Sequence, residues 1–284
     1  MKRLAQKKAF LVFYAFDIIL LLVIGILFLP FSRSKNKPSS MNSPFVSLKD
    51  GEEITEIKIL DRHEQTKILM ASTQWGWLGT DSWSDENLYW PVEEKTVRNF
   101  ISEITRTGQW IKKADRTTSW ESLGVDNGNA VEVILKSGSM TVGHVFYGLV
   151  DDLEGKVAFR TSKDSTVWQA ESSVVNFIYE KDSSFWADPY LVPVCARNPE
   201  EAKNDAGLRR GQLVYLKPAE HIKPFDTMEL EFDYGVKAYY AFYEKDDAVV
   251  VIPSFEGNDY LKSLNYRYSI SRWTYDRFIK EFKK

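Results

Sequence analysis

The run from Ala9 to Leu29 constrains this chain before anything else does. It holds 21 residues and a single charge, Asp17. As a helix rising about 1.5 Å per residue it reaches ~31 Å, the thickness of a bilayer's hydrocarbon core. Lys2, Arg3, Lys7 and Lys8 precede it, Pro30 ends it, and Arg33, Lys35 and Lys37 follow. The slight basic excess on the leading side predicts an orientation with the N-terminus inside. The run reads as a signal anchor. It implies a single-pass transmembrane helix in a bacterial cytoplasmic membrane, with the bulk of the chain extracytoplasmic, as a periplasmic domain of the cell envelope. A cleaved signal peptide is the alternative. Its apolar stretch is usually about 7–15 residues, shorter than this one, although Ser32-Arg33-Ser34 does set small residues at alternate positions. Asp17 sits mid-span, where an ionised carboxylate costs about 2.5–3.5 kcal/mol on insertion scales. It is expected either to face another helix or to be a tolerated polar residue.

The domain organisation follows from that run. Residues 1–31 form a basic leader and anchor, and 32–44, rich in Ser, Asn, Lys and Pro, form a linker. Residues 45–284 form the α+β region. Seven of the 37 Lys and Arg and one of the 40 Asp and Glu fall in residues 1–38, so the remainder carries a formal charge of −9. An acidic surface repels polyanions, which argues against nucleic acid as a partner. Cys195 is the only cysteine. No intrachain disulfide and no cysteine-based structural zinc site can form.

Three segments of the region share a pattern. Asn99-Phe100-Ile101-Ser102-Glu103 matches Asn176-Phe177-Ile178-Tyr179-Glu180, and both resemble Arg277-Phe278-Ile279-Lys280-Glu281. Each sits in a helix-period stripe, such as Val97, Phe100, Ile101 and Ile104. Ser172 and Ser271 are placed to cap the second and third helices. Short β-type runs precede each helix, and polar connections at Gly138 and Gly235 join alternating strands into hairpins. The expected fold class is therefore α+β. A transmembrane helix leads repeated antiparallel hairpin-strand-helix units at about 54–106, 130–181 and 227–284. Phe100, Phe177 and Phe278 would each be buried against the sheet of their own unit. Between units, Ser119–Val125 and Pro199–Ala206 are candidate short helices, the second capped by Asn198.

The usual signatures of chemistry are absent: no His-Glu-x-x-His, no Gly-x-Ser-x-Gly, no phosphate-binding glycine loop, no Cys-x-x-Cys. His63, His144 and His221 lie far apart in sequence. Asp126-Asn127-Gly128-Asn129 has its glycine at the wrong offset for a calcium loop and reads as a turn. Asp81–Glu86, around Trp83, is a loose acidic cluster, and 151–155 reads as a solvated hairpin loop. No catalytic, cofactor-binding or metal-ligating residue is selected, and the chain is not expected to be an enzyme or to need a cofactor. The aromatics are the most suggestive feature. All nine Trp lie beyond the linker, and Trp75 and Trp77, two apart, would share one face of a strand. Core packing accounts for most such residues. A patch that binds glycan or protein is the sharper reading.

Certain segments also resemble a known family. Ile54-Thr55-Glu56-Ile57-Lys58-Ile59, then Trp77, then Trp90-Pro91-Val92 leading into a helix, is one of them. Trp120-Glu121-Ser122-Leu123-Gly124-Val125 before Val131–Leu135, and Val157-Ala158-Phe159-Arg160 before Val167-Trp168, are others. With Phe185 to Pro193, these resemble the bacterial domain of unknown function 4340, convincingly over 50–200 and loosely beyond. Gly143-His144-Val145-Phe146-Tyr147-Gly148 departs from that family's more apolar run and leaves the role of His144 open. The resemblance implies a repeated α+β exterior part behind a membrane anchor, and an accessory of an ABC transporter. It carries over no catalytic residues. The expected function is that of a membrane-anchored envelope protein acting through protein contacts, with ABC-transporter subunits as partners. A glycan-binding module using exposed tryptophans is the alternative.

Overall fold

A computed structural model describes residues 40–82, 88–151, 153–180, 182–196, 208–219, 221–232 and 235–282. Fourteen strands and four α-helices are seen among them. β1 (Ser40–Ser43) precedes a four-strand meander: β2 (Glu56–Asp61), β3 (Thr66–Thr73), β4 (Gly76–Asp81) and β5 (Tyr89–Pro91). Helix α1 (Glu94–Thr105) and β6 (Gly108–Ala114) come next. A second meander holds β7 (Val131–Ser137), β8 (Met140–Asp151), β9 (Lys156–Thr161) and β10 (Val167–Glu171), closed by α2 (Val175–Ile178). The last strands are β11 (Asp226–Phe232), β12 (Val236–Lys245), β13 (Ala248–Glu256) and β14 (Tyr268–Ser271). α3 (Asp259–Ser263) interrupts that set before β14, and α4 (Arg272–Phe282) ends it.

The strands build two sheets, and every pairing is antiparallel. One has ten strands in the order β1-β6-β10-β9-β8-β7-β2-β3-β4-β5, the other four in the order β11-β12-β13-β14. The two meanders join where β2 pairs with β7, Ile57 opposite Leu135 and Ile59 opposite Val133. Alternation explains the register. Ile57, Ile59, Val133, Leu135 and Val145 all point to the core face, and a one-residue slip would turn them to the other side. Gly138 at φ +56° and Gly235 at φ +73° make the turns that a side chain would strain.

The opposite face of the large sheet is covered in part by residues 117–127. Here the short helix expected over Ser119–Val125 is instead two 3₁₀ turns, Thr117–Ser119 and Glu121–Leu123, ended by Gly124 in the left-handed region. Under this cover Arg160 is buried, its guanidinium 3.9 Å from the Trp120 ring centre and 3.6 Å from that of Phe146. It donates to Val125 O and Asn127 Oδ1, both at 2.6 Å. Burial lowers its pKa.

Two expectations are corrected. The fold class is not α+β led by a transmembrane helix, because the described chain is mostly antiparallel β-sheet. The longest described helix has 12 residues, against about 20 needed to span a bilayer. No helix among the described residues is long and apolar enough to cross a membrane. The transmembrane helix, the signal anchor and the single-pass, N-inside localisation are therefore not supported. The run Ala9–Leu29 that suggested them lies outside the described residues, as does the candidate helix Pro199–Ala206.

The helices also differ from one another. Phe100 on α1 and Phe278 on α4 are fully buried, whereas Phe177 is only partly so. α2 is a single turn, and its Phe177 leans on Phe100 at 5.6 Å and on Trp186 at 6.0 Å. It therefore adds to the cluster around α1 rather than plugging a sheet of its own. Ser271 Oγ accepts from Thr274 N–H at 3.1 Å, and Ser172 Oγ from Val174 N–H at 3.1 Å, at the starts of α4 and α2.

The buried tyrosines give the fold an alkaline limit. Burial pushes the phenols of Tyr147, Tyr266 and Tyr268 well above the usual value. Tyr179 is raised to about 12 by burial and then by the Asp61 charge. A phenol raised on folding supports stability below its unfolded pKa, about 10, and loses that support as pH climbs through the folded value. Stability is expected to fall steeply between about pH 10 and 12, with Tyr179 alone contributing on the order of 2 kcal/mol. Urea melts at stepped pH check this. Tyr179→Phe should flatten the decline, and an unchanged slope would rule out its share.

Candidate functional site

The sheets meet around a short irregular segment, and the site is built on it. Trp186 is buried edge-on to Phe100 at 5.6 Å. The Glu93 N–H donates to Trp186 O at 2.8 Å, and Asp188 N–H to Pro91 O at 2.7 Å, so the segment runs along β5. Further on, Leu191 O accepts from the Tyr268 hydroxyl at 3.1 Å and from Tyr240 at 3.5 Å, both in the four-stranded sheet. The segment thus fastens one sheet to the other.

Two buried charged side chains hold it. The Asp188 carboxylate accepts from Tyr190 N–H at 2.9 Å and from Val194 N–H at 2.7 Å. Arg210 supplies donors to four carbonyls: Asp188 at 2.6 Å, Gly211 at 2.7 Å, Ala187 at 2.8 Å and Ser184 at 3.0 Å. An irregular buried segment leaves such carbonyls without ladder partners, and one guanidinium answers them together. Burial lowers the Arg210 pKa, while Tyr266 and Asp188 oppose that shift.

Above this floor lies an open groove of about 360 Å³. Trp75, Trp77, Pro91, Val92, Tyr190, Cys195 and Tyr260 line it. Glu93, Glu94, Lys95 and Arg98, at the start of α1, supply the charged lip, where Arg98 meets Glu94 at 3.6 Å. Trp75 stands on the β3–β4 turn rather than in a strand and is 51% exposed. The turn holds it firmly. Thr73 Oγ1 accepts from Trp75 N–H at 3.1 Å and donates to Gly76 O at 2.7 Å. Gly76 adopts φ +131°, which other residues rarely reach. Trp77 is half-buried near the start of β4, and its carbonyl accepts from the Tyr260 hydroxyl at 2.8 Å. Burial, and then the nearby Cys195, pushes the Tyr260 phenol far up, so it stays a donor.

The other residues singled out in the sequence are placed elsewhere. Trp83 and most of the Asp81–Glu86 cluster lie outside the described residues. His144, on β8, puts Nε2 2.7 Å from Glu132 Oε1 and its ring 4.7 Å from Phe146. Arg62 Nε donates to the other oxygen of Glu132 at 2.7 Å. The chain from Asp126 to Asn129 is a turn, its carboxylate accepting from Gly128 N–H and Asn129 Nδ2. Asp151 likewise ties down its hairpin loop through Leu153 and Glu154 N–H. Among the described residues no group of three or more His, Cys, Asp or Glu is placed to hold a metal.

Trp75 and Trp77 were legible in the sequence as a close aromatic pair. Tyr190, Tyr260 and Arg98 were not, since they come from three distant elements. The charged floor was also missed. Asp188 lies in the 185–193 stretch with nothing local to mark its role, and Arg210 carries no motif. No protein family, no curated protein and no solved structure matches this chain.

Proposed function

We propose that this chain is a recognition module that works through protein contacts, gripping a partner's extended segment in the Trp75 groove. One observation supports the reading above the rest. A tryptophan half open to solvent stands on a braced turn beside a groove with a rigid, hydrogen-bonded floor. Exposing such a side chain is costly, and Trp, Tyr and Arg are the residues that dominate binding energy at interfaces. The volume suits one or two anchoring side chains. The Glu93, Glu94, Lys95 and Arg98 lip offers both signs of charge to the flanking backbone. The partner class implied by the sequence resemblance is a subunit of an ABC transporter.

A glycan is the second reading, favoured by the same lip. Carboxylates beside an indole face could accept sugar hydroxyls while the ring stacks on the sugar. A photo-reactive residue at exposed Gln74 tests both. In the host cell it should cross-link to a defined protein, and Trp75→Ala should lower that yield at least 10-fold, since an anchoring aromatic is worth about 2 kcal/mol or more. Equal yields with and without Trp75 would overturn the protein reading. Quenching of Trp75 fluorescence by soluble oligosaccharide, with no protein adduct, would favour the glycan.

A further inference from the structure

The two sheets have four edges, and the chain treats them unequally. At β5 the edge is covered, with Tyr89 and Asn265 exchanging backbone bonds of 3.1 and 2.9 Å. At β14 it is covered by 211–214, through Gly211 N–H to Ser269 O at 2.7 Å and Ser269 N–H to Gln212 O at 2.9 Å. β1 is a four-residue edge. β11 is seven residues long, and among the described residues it pairs only with β12. A long uncovered edge offers a row of backbone donors and acceptors to any extended chain.

The side chains along β11 are selective. Met228 and Leu230 are buried toward the core, whereas Thr227, Glu229 and Glu231 are exposed on the outer face. In register, Glu229 lies opposite Tyr239, and Glu231 opposite Lys237, which in turn lies opposite Glu256 on β13. Lys237 thus has Glu231 and Glu256 as cross-strand partners, and its Nζ reaches Glu229 at 3.4 Å. Tyr239 registers the surplus. Desolvation, and then the Glu229 and Glu256 charges, raise its pKa.

We propose that β11 is a docking edge for a partner segment that adds as a fifth strand, with Lys or Arg at alternate positions and apolar residues between them. The basic residues would lie beside Glu229 and Glu231, at the roughly 4.5–5.5 Å spacing of cross-strand neighbours. The apolar residues would continue the row of Met228 and Leu230. A second copy of this chain is a poor occupant. Full-length antiparallel pairing of two β11 strands centres on Glu229 and sets that carboxylate against its own copy, and like charges directly opposite are destabilising. No residue of β11 lines the Trp75 groove, so the two surfaces stand or fall separately.

Hydrogen exchange on the full chain tests this with two synthetic seven-residue peptides, one alternating Lys with Val and the other Glu with Val. The Lys peptide should slow exchange of the β11 amides at least 10-fold, and the Glu peptide should leave them unchanged. The double variant Glu229→Lys, Glu231→Lys alters exposed positions only. It should reverse the preference, weakening the Lys peptide at least 10-fold. Backbone N-methylation of the Lys peptide at alternate residues should abolish protection. Trp75→Ala should not alter it, which separates this result from the groove. Equal effects of both peptides, no protection by the Lys peptide, or a self-associated chain whose β11 amides are already protected would each overturn the proposal.

Discussion

Phe100→Ala and Phe278→Ala are each expected to destabilise the folded chain by about 3–5 kcal/mol, the range for a fully buried Phe. Phe177→Ala should cost less, about 1–2 kcal/mol, because part of its ring already faces solvent. The environments explain the difference. Phe100 lies between Trp186 and Phe177, at 5.6 Å from each. Phe278 packs on Tyr240 at 5.2 Å and on Phe242 at 6.3 Å. Behind Phe278 the wall is strand β12, which cannot collapse into the cavity left by the missing ring, and Phe100 is fully buried. Phe177 sits on a single helical turn that can shift toward Phe100. Chemical denaturation of the three single variants measures this. Three equal losses would show that α2 is as firmly packed as the longer helices.

Arg210→Met should be as severe, and it should also reach function. Met matches the length of the aliphatic stem but supplies no donors. Four carbonyls, of Ser184, Ala187, Asp188 and Gly211, then lose their partner at once. Each unsatisfied buried polar group costs about 1–3 kcal/mol. Relaxation and water entry would recover some of this, leaving a loss of about 3–5 kcal/mol. The Asp188 carboxylate would also lose the attraction of a buried cation. Because 186–194 is both the fastening between sheets and the floor of the groove, cross-linking from Gln74 should fall together with stability. A variant as stable as the parent that still cross-links would remove Arg210 from the account.

The reading from sequence and the structure part at a definite length scale. Alternation and turn chemistry placed the hairpins at Gly138 and Gly235, because a strand's period and a glycine's freedom are local properties. Helix periodicity placed α1 and α4 for the same reason. The middle helix went wrong. The repeat around Phe177 was too short to show whether the helix would continue, and in the structure it ends after one turn with Phe177 against Phe100. The sheets went wrong in a similar way. The hairpins β7–β8 and β11–β12 were legible, but β6, β9 and β13 were not, and nothing local indicates that β2 would pair with β7 and merge two meanders into one sheet.

For the site, the neighbouring tryptophans were visible and their setting was not. Trp75 and Trp77 looked like one face of a strand, yet the turn at Thr73 and Gly76 swings Trp75 to the rim. The sequence by itself determined the acidic charge, the hairpin turns at Gly138 and Gly235 and the apolar stripes of two helices, all set by composition or by interactions within about a dozen residues. Only the tertiary structure decided how the strands assemble, which aromatics are covered and where a groove opens. Arg210 shows the reason. Its value lies in carbonyls some 25 positions back in the chain, and an unpaired carbonyl leaves no mark on a sequence until the fold has removed its water.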